Sequence, residues 1–121
     1  MDITRRIRAY FSRKALASGR ASFEAGRGHV VKNGAGRIRV RVEDDGGASA
    51  VAELAGRGNL LQASCTCPAF DFDYRPCGHI WTAALLADAQ GLLVDLPVSC
   101  SMRIATGPSP SRIEAIGETG R

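Results

Sequence analysis

The chain has 121 residues and a mass of 12.8 kDa, enough for one small domain. Hydrophobic residues make up 45% and charged residues 23%, a globular balance rather than that of a disordered segment. The net charge is +4, and neither an apolar run of about 18 residues nor a G-x-x-x-x-G-K-[ST] loop occurs, which excludes a membrane-spanning helix and a P-loop ATPase. Met1-Asp2-Ile3-Thr4-Arg5-Arg6 carries no apolar signal segment, so a cytoplasmic location is expected.

The charge is unevenly spread. Residues 1–42 hold eleven Arg and Lys against Asp2 and Glu24, whereas residues 43–121 hold five Arg against ten acids. A basic half of this kind attracts a polyanion and releases its counterions. Arginine outnumbers lysine 14 to 2, and Ala, Gly and Arg together make 46 residues, so compositional bias with a solvated face is the plainer alternative.

In chain order, Ile3, Ile7, Tyr10 and Phe11 form one apolar stripe at helical spacing, with Arg5, Arg6, Arg8 and Arg13 on the other faces. A second short helix is expected over 15–25, carrying Leu16 and Phe23 and weakened by Gly19. Strands follow. His29-Val30-Val31 precedes the turn Asn33-Gly34-Ala35-Gly36. Residues 37–43 then alternate, with Ile38, Val40 and Val42 on one face and Arg37, Arg39 and Arg41 on the other. Asp44-Asp45-Gly46-Gly47 turns into a third strand over 48–54, and Gly56-Arg57-Gly58-Asn59 turns into a fourth over 60–67. Residues 77–90 read as a helix with Ile80, Ala83, Ala84 and Ala87 on one stripe, widened by Trp81 and Leu85 and ended by Gly91. The expected fold is α+β, a small antiparallel sheet of about four strands with a helix on either side in sequence. Residues 1–91 would form this domain, and 92–121 an extra strand within 92–104 followed by a flexible tail or linker.

The chemistry concentrates in Cys65-Thr66-Cys67 and Cys77-Gly78-His79, a C-x-C…C-x-H pattern within 15 residues. Residues i and i+2 of an extended chain point to one side, so Cys65 and Cys67 can face one ion. Pro76 suits a turn into a helix whose first residues project Cys77 and His79 to the same point. Three thiolates and an imidazole make a closed tetrahedral Zn2+ site, structural rather than catalytic because no position is left for water. Asp71 and Asp73 lie between the two halves, but neither H-E-x-x-H nor H-x-E…P-C-x-x-C occurs, and no enzyme is expected. Cys65 and Cys67 stand too close for an easy disulfide. Cys100 reads as a small buried hydrophobe and His29 as a structural or solvated side chain.

The run Cys65-Thr66-Cys67-Pro68…Cys77-Gly78-His79-Ile80-Trp81 with its apolar helix resembles a SWIM-type zinc finger. With Gly19-Arg20…Phe23…Gly26-Arg27 and the Arg-rich strands, the resemblance spans about residues 10–92 and extends to the N-terminal region of bacterial SWI/SNF-family helicase-like proteins. It implies zinc ligation by Cys65, Cys67, Cys77 and His79. Gly78 stands where that family often carries lysine, so no phosphate contact is expected from that position. The resemblance also implies a DNA-binding accessory module of, or for, a helicase-like or chromatin-type ATPase. Arg37, Arg39 and Arg41 would supply backbone contacts of low sequence specificity. The alternative is a protein-interaction module that docks a recombination or helicase partner through Phe70-Asp71-Phe72-Asp73-Tyr74.

Overall fold

A computed structural model describes residues 3–34, 36–44, 46–57, 60–67, 76–92 and 103–106. The aromatic-acidic loop at 70–74, Cys100 and most of 92–121 lie outside the described residues. Helix α1 (Ile3–Ile7) runs into a single 3₁₀ turn (Arg8–Tyr10), and helix α2 (Arg13–Glu24) follows. Strands β1 (Gly28–Gly34), β2 (Arg37–Glu43), β3 (Ser49–Arg57) and β4 (Leu60–Cys65) precede helix α3 (Gly78–Ala89) and strand β5 (Arg103–Thr106). The sheet order is β1-β2-β3-β4-β5, antiparallel through β4 and parallel between β4 and β5. The four antiparallel strands and the flanking helices are those the sequence patterning implies, whereas β5 overlaps the 92–104 stretch only at Arg103 and Ile104 and runs on through Thr106, the first residue of the expected tail.

Ile3, Ile7 and Phe11 are buried as their spacing requires, but Tyr10 is 45% exposed. The tighter 3₁₀ winding at Arg8–Tyr10 rotates that position off the stripe. Ser12 caps α2, its hydroxyl accepting from the Ala15 N–H at 3.1 Å. The helix therefore starts two residues earlier than expected. It ends in a Schellman motif: Gly26 has φ +70°, its N–H bonds the Phe23 carbonyl, and the Arg27 N–H bonds the Ser22 carbonyl. Gly91 (φ +67°) ends α3 the same way.

In the sheet Ile38, Val40 and Val42 are fully buried on the face that meets α3. The alanines of β3 answer the same face: Ala52 pairs with Val40 and Ala50 with Val42, and both are buried. Small side chains there leave room for the helix that lies across the strand. The third strand continues through Gly56 and Arg57, where the sequence predicts a turn, and the fourth stops at Cys65 rather than Cys67. A bulge between Val30 and Lys32 interrupts β1 and leaves Val31 51% exposed.

Helix α3 is the centre of the molecule. Ile80, Trp81, Thr82, Ala83, Ala84 and Ala87 are all buried, because the sheet covers one side and α1 and α2 cover the other. An apolar stripe alone would not need this; a helix apolar around most of its circumference does. Phe11 and Trp81 pack with ring centroids 5.0 Å apart, joining α3 to the end of the N-terminal stripe.

Candidate metal centre

The end of β4, the start of α3 and the β2–β3 turn meet at one point. Cys65 closes β4, and Thr66 continues the pairing for one more residue. Its N–H bonds the Val51 carbonyl at 3.1 Å while its hydroxyl accepts from the Val51 N–H at 2.9 Å. With Thr66 held outward and exposed, Cys65 and Cys67 turn inward and are buried. Cys77 is the N-cap of α3 (φ −102°, ψ 172°), and its thiol makes no capping bond. His79, one residue into the helix, carries its imidazole to the same point.

Cys65, Cys67, Cys77 and His79 each offer one donor atom, and those atoms lie within 4.8 Å of one another. His79 Nδ1 is 3.6 Å from Cys65 Sγ and 3.9 Å from Cys77 Sγ. A tetrahedral zinc with sulfur at about 2.3 Å and nitrogen at about 2.0–2.1 Å requires S···N edges of about 3.6 Å, so the donor set fits that ion in chemistry and these two separations come near it. The four residues together could hold a zinc ion, protein donors then filling all four positions, and two of the thiols are buried.

Crowding holds protons on two of these groups, Cys65 and His79. The Cys65 thiol is pushed far above its ordinary value by hydrogen bonding with Cys67 and Cys77, and burial adds to the effect. His79 is raised to about 11 by hydrogen bonding with Cys67 and Cys77; Asp44 adds to this and burial opposes it. Asp44 faces the other side of the ring, with its Oδ1 3.0 Å from His79 Nε2. No local sequence signal marks Asp44, which reads as the first residue of a turn 35 positions from the histidine.

Arg37, Arg39 and Arg41 do share the face of β2 opposite the buried valines, but they differ in circumstance. Arg39 forms an ion pair with Glu53, at 3.0 Å, and Glu53 is only 3% exposed. Arg41 lies 3.6 Å from the exposed Glu43 carboxylate, which also approaches His29 at 3.5 Å. Register places Lys32 beside Arg39 and His29 beside Arg41. Arg8, Arg13 and Lys14 are exposed on the helical side.

Gly78 explains its own lack of a side chain. A Cβ there would overlap the Ser18 hydroxyl and stand 3.2 Å from the Gly19 nitrogen and 3.3 Å from the Ala15 carbonyl oxygen, so a lysine between Cys77 and His79 would require Ser18 to turn away and α2 to shift slightly.

No curated protein and no solved structure matches the chain significantly. No helix among the described residues is long and apolar enough to cross a membrane. Residues 38–88, which hold β3, β4, the four clustered donors and all but one residue of β2 and of α3, match the family model of the SWIM zinc finger.

Proposed function

We propose that the chain is a non-catalytic, zinc-stabilised module that binds DNA through its phosphate backbone, as an accessory domain of or for a helicase-like ATPase. Zinc bound by Cys65, Cys67, Cys77 and His79 would supply structure alone, tying the end of β4 to the start of α3. The observation that carries the nucleic-acid reading is the sheet register. It gathers Arg37, Arg39, Arg41, Lys32 and His29 onto one side of β1 and β2, where the regular spacing of strands suits a repeating polyanion. Because Glu53 holds Arg39, the phosphate contacts fall mainly to Arg37, Arg41 and Lys32. Free thiols in the ligand set suit a reducing compartment.

Fluorescence anisotropy of labelled duplex and single-stranded DNA, titrated with zinc-loaded protein across a salt series, tests this. Binding should weaken with salt, and each phosphate contact removed by an Arg37→Ser, Arg41→Ser or Lys32→Ser substitution should flatten log K against log salt by about 0.9. Absence of binding at low salt would mean that the basic face is only solvated.

A further inference from the structure

We propose that Asp44 is a positioning residue of the metal centre. Its carboxylate holds the His79 ring so that Nδ1, not Nε2, is presented to the ion. This rests on the zinc reading of the four-residue cluster.

An ionised carboxylate can only accept a hydrogen bond, so the 3.0 Å contact between Asp44 Oδ1 and His79 Nε2 places the ring proton on Nε2. Once metal binding displaces the ring's other proton, the lone pair is on Nδ1, the atom that lies 3.6 and 3.9 Å from the Cys65 and Cys77 sulfurs. A histidine only two residues after Cys77 has little choice of backbone position, and its ring can still rotate to offer either nitrogen. The carboxylate removes that freedom and increases the basicity of the donor nitrogen, as partners beyond the ligands do at zinc sites generally.

Asp44 is itself well fixed. Its N–H bonds the Ala48 carbonyl at 2.7 Å, and its carbonyl accepts from the Gly47 N–H at 3.1 Å, closing the β2–β3 turn. The preceding Glu43 N–H bonds the Arg27 carbonyl at 3.0 Å. The side chain is 46% exposed, yet the nearby Arg41 and His29 side chains pair with Glu43 and not with it. The histidine is thus the partner this carboxylate has taken. A further consequence is mechanical: the strand that bears Arg37, Arg39 and Arg41 ends on a turn bonded to a candidate ligand.

Cobalt(II) titration of the full chain, followed by displacement with zinc against a chromophoric chelator, measures the effect. Asp44→Ala should weaken metal binding by about 10- to 100-fold, and Asp44→Asn, whose amide oxygen can still accept from Nε2–H, by several-fold. Glu43→Gln, a neutralised carboxylate on the same turn, should leave affinity unchanged. Long-range proton–nitrogen spectra of the zinc-loaded wild type should show Nδ1 metal-bound and Nε2 protonated. Asp44→Ala should retain native circular dichroism when loaded, but its Nε2 proton should exchange quickly. Equal affinities in wild type and both Asp44 variants, or zinc on Nε2, would overturn this proposal alone. A wild type that takes up neither cobalt nor zinc would overturn the zinc reading and this proposal with it.

Discussion

Gly19 and Gly78 meet backbone to backbone where α2 crosses α3. A Cβ on Gly19 would stand 2.5 Å from the Gly78 carbonyl oxygen and 2.8 Å from Trp81 Cβ. The crossing is sealed by Thr82, whose buried hydroxyl donates to the Gly19 carbonyl at 2.8 Å. Two glycines facing one another allow an approach that no other pair would. Gly19→Ala should therefore lower stability by about 1–3 kcal/mol, despite the helix propensity that alanine adds. Urea denaturation of the zinc-loaded protein measures this. Because Gly78 separates Cys77 from His79, cobalt affinity should fall in the same variant. A Gly19→Ala protein more stable than wild type would show that the two helices can part without cost.

This crossing marks a limit of reading the chain as a string. Gly19 weakens a helix locally, and only the neighbour it touches, 59 positions away, explains its presence. The alternating strand at 37–43 and the C-x-C…C-x-H cluster were legible because their geometry is local: a period of two, and ligands at fixed spacing along a strand end and a helix start. Asp44 and Glu53 were not, since a turn residue and a strand carboxylate acquire their meaning from distant partners, His79 on α3 and Arg39 on the neighbouring strand. The parallel pairing of β5 likewise has no local signature. Tyr10 failed for a different reason, a change from α to 3₁₀ winding that a single 3.6-residue period does not represent.

Arg39 and Arg41 look alike in the sequence and should behave oppositely. Glu53 is 3% exposed and bonds Arg39 at two nitrogens, Nε at 3.3 Å and a terminal one at 3.0 Å. Removing the guanidinium leaves a buried carboxylate short of its charge partner, which costs about 2 kcal/mol or more. Arg41 faces a half-exposed Glu43, and losing such a pair costs roughly 0–1 kcal/mol. Thermal midpoints of Arg39→Ala and Arg41→Ala in the zinc-loaded state should separate clearly, the first falling well below wild type and the second staying near it. Equal midpoints would mean that Glu53 is satisfied without the arginine.

The N-terminal segment is fastened from the far end of α3. Asp88 accepts from the Ile3 N–H at 2.8 Å, from the Thr4 N–H at 3.0 Å and from the Thr4 hydroxyl at 2.6 Å. It thus caps α1 from another helix, meeting donors that so short a helix cannot satisfy itself. Asp88→Ala should cost about 0.5–2 kcal/mol. Its signature is local: hydrogen exchange should accelerate at Ile3–Ile7 while the β2 and β3 amides keep their protection. Uniform acceleration throughout would instead show that α1 and the sheet unfold as one unit.

Metal removal should reverse the pH dependence of stability. In the metal-free fold His79 is raised from 6.5 to about 11, and Cys65 is raised from 9.0, so both hold a proton more tightly than the unfolded chain does. The His79 contribution is fully present below about 6.5 and is lost as pH rises toward about 11; Cys65 adds a further loss above about 9. The metal-free protein should therefore weaken progressively in alkali. Zinc binding demands the opposite protonation state, because the imidazole nitrogen and the thiols must be free of protons before they can donate. At pH 7 His79 and Cys65 both carry one, so uptake should release about two protons or more, and affinity should climb steeply with pH. The gap in melting temperature between loaded and chelator-treated protein should accordingly widen from pH 6 to pH 8, and calorimetry in buffers of different ionisation enthalpy should count the protons. A constant gap with no proton release would mean that the cluster is already deprotonated before metal arrives.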